Sequence, residues 1–128
     1  MIKTIDWQDD AVVVIDQKRL PQEERYLTCI NYRQVIDAIN DLTIRGAPAI
    51  GVAAAMGVAL GMRAVKKGED RDAAFARVHD RIHRTRPTAR NLFWALERMK
   101  SVFEAHRGEP LASLQAKLAA EAVEIDRE

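Results

Sequence analysis

Ala47-Pro48-Ala49-Ile50-Gly51-Val52-Ala53-Ala54-Ala55-Met56-Gly57-Val58-Ala59-Leu60-Gly61-Met62 is the longest weakly polar run in the chain, and its small residues decide the fold. It falls below the ~18 residues of a membrane span and is mostly alanine and glycine. A glycine inside a helix costs about 1 kcal/mol relative to alanine, so Gly51, Gly57 and Gly61 in one helix imply close backbone approach by neighbours. The run therefore predicts a central helix from Pro48 to about Met62, wrapped by the others. Pro48, with φ preset and no N–H, suits the first helical position. Arg63, Lys66 and Lys67 complement the far end, and Gly68 is expected to stop the helix.

Upstream of this run the pattern is that of strands. Thr4-Ile5-Asp6-Trp7 and Ala11-Val12-Val13-Val14-Ile15 are rich in β-branched residues, and Gln8-Asp9-Asp10 between them suggests a hairpin. A loop over residues 16–24, with Pro21, leads to a third strand, Tyr26-Leu27-Thr28-Cys29-Ile30, which reads as half-buried. Asn31-Tyr32-Arg33-Gln34 is a capping box opening a helix with Val35, Ile36, Ile39 and Leu42 on one face. Downstream, Asp70 caps a helix striped by Phe75, Val78 and Ile82. Another helix follows Pro87, with Leu92, Leu96, Met99 and Phe103. Gly108-Glu109-Pro110 separates it from a last helix carrying Leu111, Leu114, Leu118, Ala122 and Ile125. No stop signal follows Glu121, so that helix reads equally as a frayed end or as a connector, and an exposed stripe there would invite self-association. The expected class is α+β: a small three-stranded antiparallel sheet over residues 1–30, then about five helices over residues 31–128.

Composition narrows the function. The 128 residues suffice for one domain with a real core. Lys and Arg total 20 against 19 Asp and Glu, a formal net charge of +1, which argues against a general nucleic-acid or membrane-surface role. A single cysteine, Cys29, permits no internal disulfide and suits a reducing cytoplasm. No apolar export signal follows Met1. A cytoplasmic protein without membrane or nucleic-acid partners is the expectation.

The candidate chemistry is anion binding. In Arg45-Gly46-Ala47-Pro48-Ala49-Ile50-Gly51 an arginine and a glycine precede a helix start, whose free N–H groups carry the positive end of the dipole. Arg45 supplies a planar fork matched to phosphate oxygens. Thr85-Arg86-Pro87-Thr88 repeats the arrangement before the next amphipathic helix. Convergence of the two starts would make one phosphate pocket; alone, either is equally a plain turn into a helix. His79 and His83 stand four apart, a metal-sharing spacing, but no third ligand is evident and partly exposed surface histidines are expected. The basic stretch from His79 to Arg90, interrupted by Asp80, reads as a solvated face with one functional arginine. Cys29 reads as a core thiol. No glycine-rich nucleotide loop occurs, and no acid–base pair or nucleophile is evident.

Together Arg45-Gly46-Ala47-Pro48-Ala49-Ile50-Gly51 and Arg86-Pro87-Thr88-Ala89-Arg90-Asn91-Leu92 resemble the methylthioribose-1-phosphate isomerases. This family is related to the ribose-1,5-bisphosphate isomerases and to the regulatory subunits of the translation-initiation exchange factor. Trp7 and Leu20-Pro21-Gln22-Glu23-Glu24-Arg25-Tyr26-Leu27 favour the methylthioribose branch. The resemblance covers the family's N-terminal domain. It implies a following Rossmann-like domain, absent from this chain, that carries the catalytic cysteine and aspartate, with the active site in the cleft between. It implies that Arg45, Gly46, Ala47 and Arg86 hold the substrate phosphate, that no catalytic residue lies in this chain, and that no metal or organic cofactor is needed. The implied partners are a sugar phosphate, the missing domain and a second copy in a full-length homodimer. Arg90 departs from the small apolar residue the family pattern calls for. Two alternatives stay open: a ribose-1,5-bisphosphate isomerase, in which Arg90 serves a second phosphate, and a non-enzymatic interaction module of the translation-factor type.

Overall fold

In a computed structural model that describes residues 5–16, 22, 25–41, 44, 46–86 and 89–127, the alanine- and glycine-rich run is α2 (Ala47–Arg63). Every residue of α2 from Ile50 through Met62 is buried. Around it pack α1 (Tyr32–Asn40), α3 (Arg71–His83), α4 (Arg90–His106) and α5 (Leu111–Arg127), together with β1 (Ile5–Gln8) and β2 (Ala11–Ile15). The glycines mark the closest approaches. A Cβ at Gly51 would lie 3.0 Å from the Asn91 carbonyl oxygen of α4, and one at Gly61 would lie 2.8 Å from both Val78 methyls of α3.

The sheet has the order β1-β2-β3, all antiparallel, with β3 at Tyr26–Cys29. Asp9 and Asp10 turn the hairpin with φ of 52° and 60°, as a two-residue primed turn requires. Register places Ile5, Val14 and Leu27 in one row and Trp7, Val12 and Cys29 in the next. Ile5, Val12, Val14 and Cys29 enter the core, and Trp7 packs against it. The third strand is less buried than its alternation suggests. Tyr26, Leu27 and Thr28 are exposed and only Cys29 is covered, because α2 packs on β1 and β2 while β3 meets α1.

Local signals are realised at the two capped starts. The Asn31 side chain accepts from Gln34 N–H at 3.0 Å, and the Gln34 amide oxygen accepts from Ile30 N–H at 2.6 Å, one residue before the cap. Asp70 accepts from Ala73 N–H at 3.0 Å. Of the α1 stripe, Val35 and Ile39 are buried and Ile36 is half-buried, while Leu42 and Pro21 lie outside the described residues.

One expectation is corrected. Gly68 does not end α2; the helix stops at Arg63, and Gly68, at φ 93°, shapes the later turn into Asp70. Gln115 of α5 donates to the Met62, Arg63 and Val65 carbonyls at 2.9, 3.3 and 3.2 Å, which ties α5 to the end of α2. Helix α4 begins at Arg90 with Ala89 as its cap, after Pro87 in the chain as expected, and Arg86 precedes its first turn. In the stripe of α5, Leu114, Leu118, Ala122 and Ile125 are buried, with the helix packed on α2 and α4.

Between α4 and α5 a polar corner centres on Glu109. Its carboxylate accepts from Lys117 at 2.6 Å and Ser113 at 2.8 Å and pairs with His106, while Arg71 donates to the Glu109 carbonyl at 2.7 Å. The Lys117, His106 and Ser113 hydrogen bonds hold the carboxyl down at about 2 against an ordinary 4.5.

Two outcomes follow from these contacts. Gly61→Ala drives a methyl into Val78; overpacking of that kind costs roughly 1–3 kcal/mol, more than the about 1 kcal/mol of helix propensity gained. The urea midpoint should fall, and Val78→Ala in the same chain should recover part of the loss. Glu109 is more acidic in the folded state than in the unfolded one, so its contribution is complete above pH about 4.5 and fades as pH falls toward 2. Glu109→Gln should flatten that limb of the stability–pH curve in urea titrations.

Candidate functional site

Two helix starts meet at the close approach of Gly51 and Asn91. The start of α2 is shaped by Gly46, whose φ of 95° favours glycine, with Ala47 and Pro48 as the first two helical residues. The first intrahelical bonds run from Ile50 N–H to Gly46 O at 3.0 Å in α2 and from Phe93 N–H to Ala89 O at 3.1 Å in α4. Amides before those bonds have no partner within the helix. Asn31 and Asp70 cap α1 and α3, but among the described residues no side chain caps α2 or α4. Two uncapped positive ends side by side form an anion-attracting locus.

The sequence candidates fall around this locus unequally. Gly46 and Ala47 are exposed at the α2 start. Arg86 is half-buried in the turn before α4, and its carbonyl accepts from Ala89 N–H at 3.0 Å. Arg90 is exposed at the first position of α4, where the dipole disfavours a cation; a bound anion would relieve that conflict. Arg45, Pro87 and Thr88 lie outside the described residues.

Beside the two starts opens a cleft of about 330 Å³. Pro48, Ala49 and Val52 of α2 line it, with Asn91 and Trp94 of α4, Ile5 of β1, and Ile125 and Asp126 of α5. Trp94 is 49% exposed, and the Arg98 guanidinium, itself paired with Glu121, stands 5.3 Å from its ring centroid. Asn91 and Trp94 are the site residues that the motif reading missed. Trp94 had a signal: it is a large aromatic off the Leu92–Leu96–Met99–Phe103 stripe, hence a solvent-facing apolar surface. Asn91 stands within the second motif, but its approach to Gly51, forty positions earlier, is not local.

The remaining candidates stay apart from this locus. Burial, with Asp37 adding to it, pushes the Cys29 thiol up to about 11, so it is protonated at neutral pH and no nucleophile. His79 and His83 are both half-buried, with ring centroids 6.3 Å apart. The buried Nε2 of His79 has no hydrogen-bond partner, and burial lowers its affinity for a proton. Among the described residues no three His, Cys, Asp or Glu side chains group as metal ligands, and no helix is long and apolar enough to cross a membrane.

Known proteins share this architecture. A methylthioribose-1-phosphate isomerase of Geobacter sulfurreducens is 53% identical over 98% of the chain and 37% of its own length. One from Koribacter versatilis is 47% identical over 100% of the chain and 37% of its own length. The crystal structure of 5-methylthioribose 1-phosphate isomerase from Pyrococcus horikoshii superposes with a TM-score of 0.88 at 35% identity, over 98% of this chain and 36% of that one. The translation initiation factor eIF-2B subunit delta from A. fulgidus gives the same TM-score at 32% identity, again over 98% and 36%. The chain thus spans little more than a third of the length of these relatives. The model of the initiation factor 2 subunit family (IF-2B) matches residues 43–128, all of α2 to α5 included, and the chain belongs to that family.

Proposed function

We propose that this chain is the phosphate-holding N-terminal domain of an isomerase that converts 5-methylthioribose 1-phosphate, an aldose, into 5-methylthioribulose 1-phosphate, a ketose, in methionine salvage. The observation that carries the reading is the pair of uncapped helix starts joined at Gly51 and Asn91. Identity near 50% to proteins named for this activity supports the choice of substrate.

In this reading the phosphate lies across the two starts, accepting from backbone amides, with Arg45 and Arg86 as its charged ligands. The C1 phosphate locks the sugar as a ring, so the ring must open before hydrogen moves from C2 to C1, a step requiring an acid–base group away from water. The cysteine and aspartate expected for that step belong to a further, Rossmann-like domain. Ile5, Val52 and Trp94 give the cleft an apolar wall that would help keep water out. No cofactor is needed for the shift. A homodimer of the full-length protein in the cytoplasm completes the proposal.

Binding energies agree with a division of labour. Two arginine contacts contribute about 1.5–3 kcal/mol each and a helix end about 0.3–1 kcal/mol. Association costs at least ~4 kcal/mol. Millimolar or weaker affinity is therefore expected of the 128 residues alone.

A second reading has its own support. The eIF-2B delta subunit superposes as well as the isomerase does, so a non-enzymatic interaction module is compatible with the fold. A ribose-1,5-bisphosphate isomerase would need Arg90 for a second phosphate. Kinetics separate these. When the chain replaces the matching segment of the Geobacter sulfurreducens isomerase, the chimera should convert 5-methylthioribose 1-phosphate, and Arg86→Gln should lower kcat/KM roughly tenfold to a hundredfold. An active chimera indifferent to Arg86→Gln would refute the phosphate role. Preference for ribose 1,5-bisphosphate would transfer the chain to the other isomerase. Assayed alone, the 128-residue polypeptide should show no conversion; turnover above contaminant level would contradict the division of labour.

A further inference from the structure

We propose that the groove between α1 and α3 is a second anion site, suited to a phosphate-bearing small molecule. Arg33, Ile36 and Asp37 of α1 face Arg81 and Arg84 at the end of α3 across a depression of about 400 Å³, and none of them lines the cleft at the helix starts. Three guanidinium groups thus share a concavity with one carboxylate. Arg84 is paired with Asp80 at 3.0 Å, while Arg33 and Arg81 have no ion pair among the described residues. A fourth guanidinium, Arg77, borders the adjoining depression that Arg33 also lines.

The excess is local, because the whole chain is balanced at 20 cations against 19 anions. The negative end of the α3 dipole accounts for cations at Arg81 and Arg84. It does not account for Arg33, which occupies the first turn of α1, where the dipole is positive and disfavours it. Asp37 in the groove and Asp80 paired with Arg84 offset only part of the charge of the three guanidinium groups, and a guanidinium fork matches phosphate oxygens better than a point charge would. Ile36 supplies an apolar floor for the rest of a ligand. A nucleic-acid tract would call for a longer stripe with stacking platforms, and among the described residues no aromatic side chain lines this groove.

Pyrophosphate titrated into the chain at low salt, followed by the arginine Nε–H resonances, is the test. Saturable shifts at Arg33, Arg81 and Arg84 are expected, weakening as salt rises. Arg81→Gln should raise the Kd about tenfold. Arg33→Gln on the facing helix should do the same, whereas Arg86→Gln should leave this Kd unchanged, which separates the groove from the proposed substrate site. Shifts that never saturate, or a Kd indifferent to both Arg33→Gln and Arg81→Gln, would overturn the proposal. Single-stranded oligonucleotides that displace pyrophosphate with affinity rising with length would overturn it too, and reassign the groove to nucleic acid.

Discussion

The contact on which this molecule turns is the one between Gly51 and Asn91. Because Gly51 has no side chain, the α4 backbone comes within what would be 3.0 Å of a Cβ, and the beginnings of α2 and α4 are brought together. Any larger residue at 51 would have to push the two apart. The same economy recurs along α2: Gly57 faces Ile82 and Val35, and Gly61 faces Val78 and Tyr32. Small residues therefore do more than fill space. They set the distances at which helices approach, and at one end that distance defines the candidate site.

The sheet and α5 hold this arrangement from outside. Asp10, in the β1–β2 turn, pairs with Arg63 at 2.7 Å near the end of α2, while Ile5 of β1 lines the cleft near its start. The hairpin therefore runs alongside α2 from one end to the other. Gln115 closes the α2 carbonyl end, and Ile125 and Asp126, further along the same helix, border the cleft at the opposite end. One helix thus touches both ends of the central one, which ties the site to the core.

Much of this was legible in the sequence, for physical reasons that differ by element. The caps at Asn31 and Asp70 are decided within four residues, so local pattern suffices. The burial of α2 is non-local but leaves a compositional trace, since only close packing explains repeated glycine in a helix. Helix α4 follows Pro87 as its stripe of Leu92, Leu96, Met99 and Phe103 indicates, but its first residue, Arg90, and its cap, Ala89, carry no capping signal in the sequence. The Gln115 cap on α2 and the meeting of Arg33 with Arg81 depend on helices far apart in the chain, and neither pattern nor composition encodes them. For the site, Gly46 and Ala47 stand where the motif put them, at a helix start. Asn91 and Trp94 emerged only once the fold brought α4 against α2.

If the paired helix starts form one anion site, their amides must respond as a unit. Backbone amide NMR of the chain titrated with 5-methylthioribose 1-phosphate reads this directly. The account predicts that the N–H signals of Ala47 and Ala49 move together with those of Arg90, Asn91 and Leu92 along one saturation curve. Movement at a single helix start, or two curves with unrelated midpoints, would contradict it.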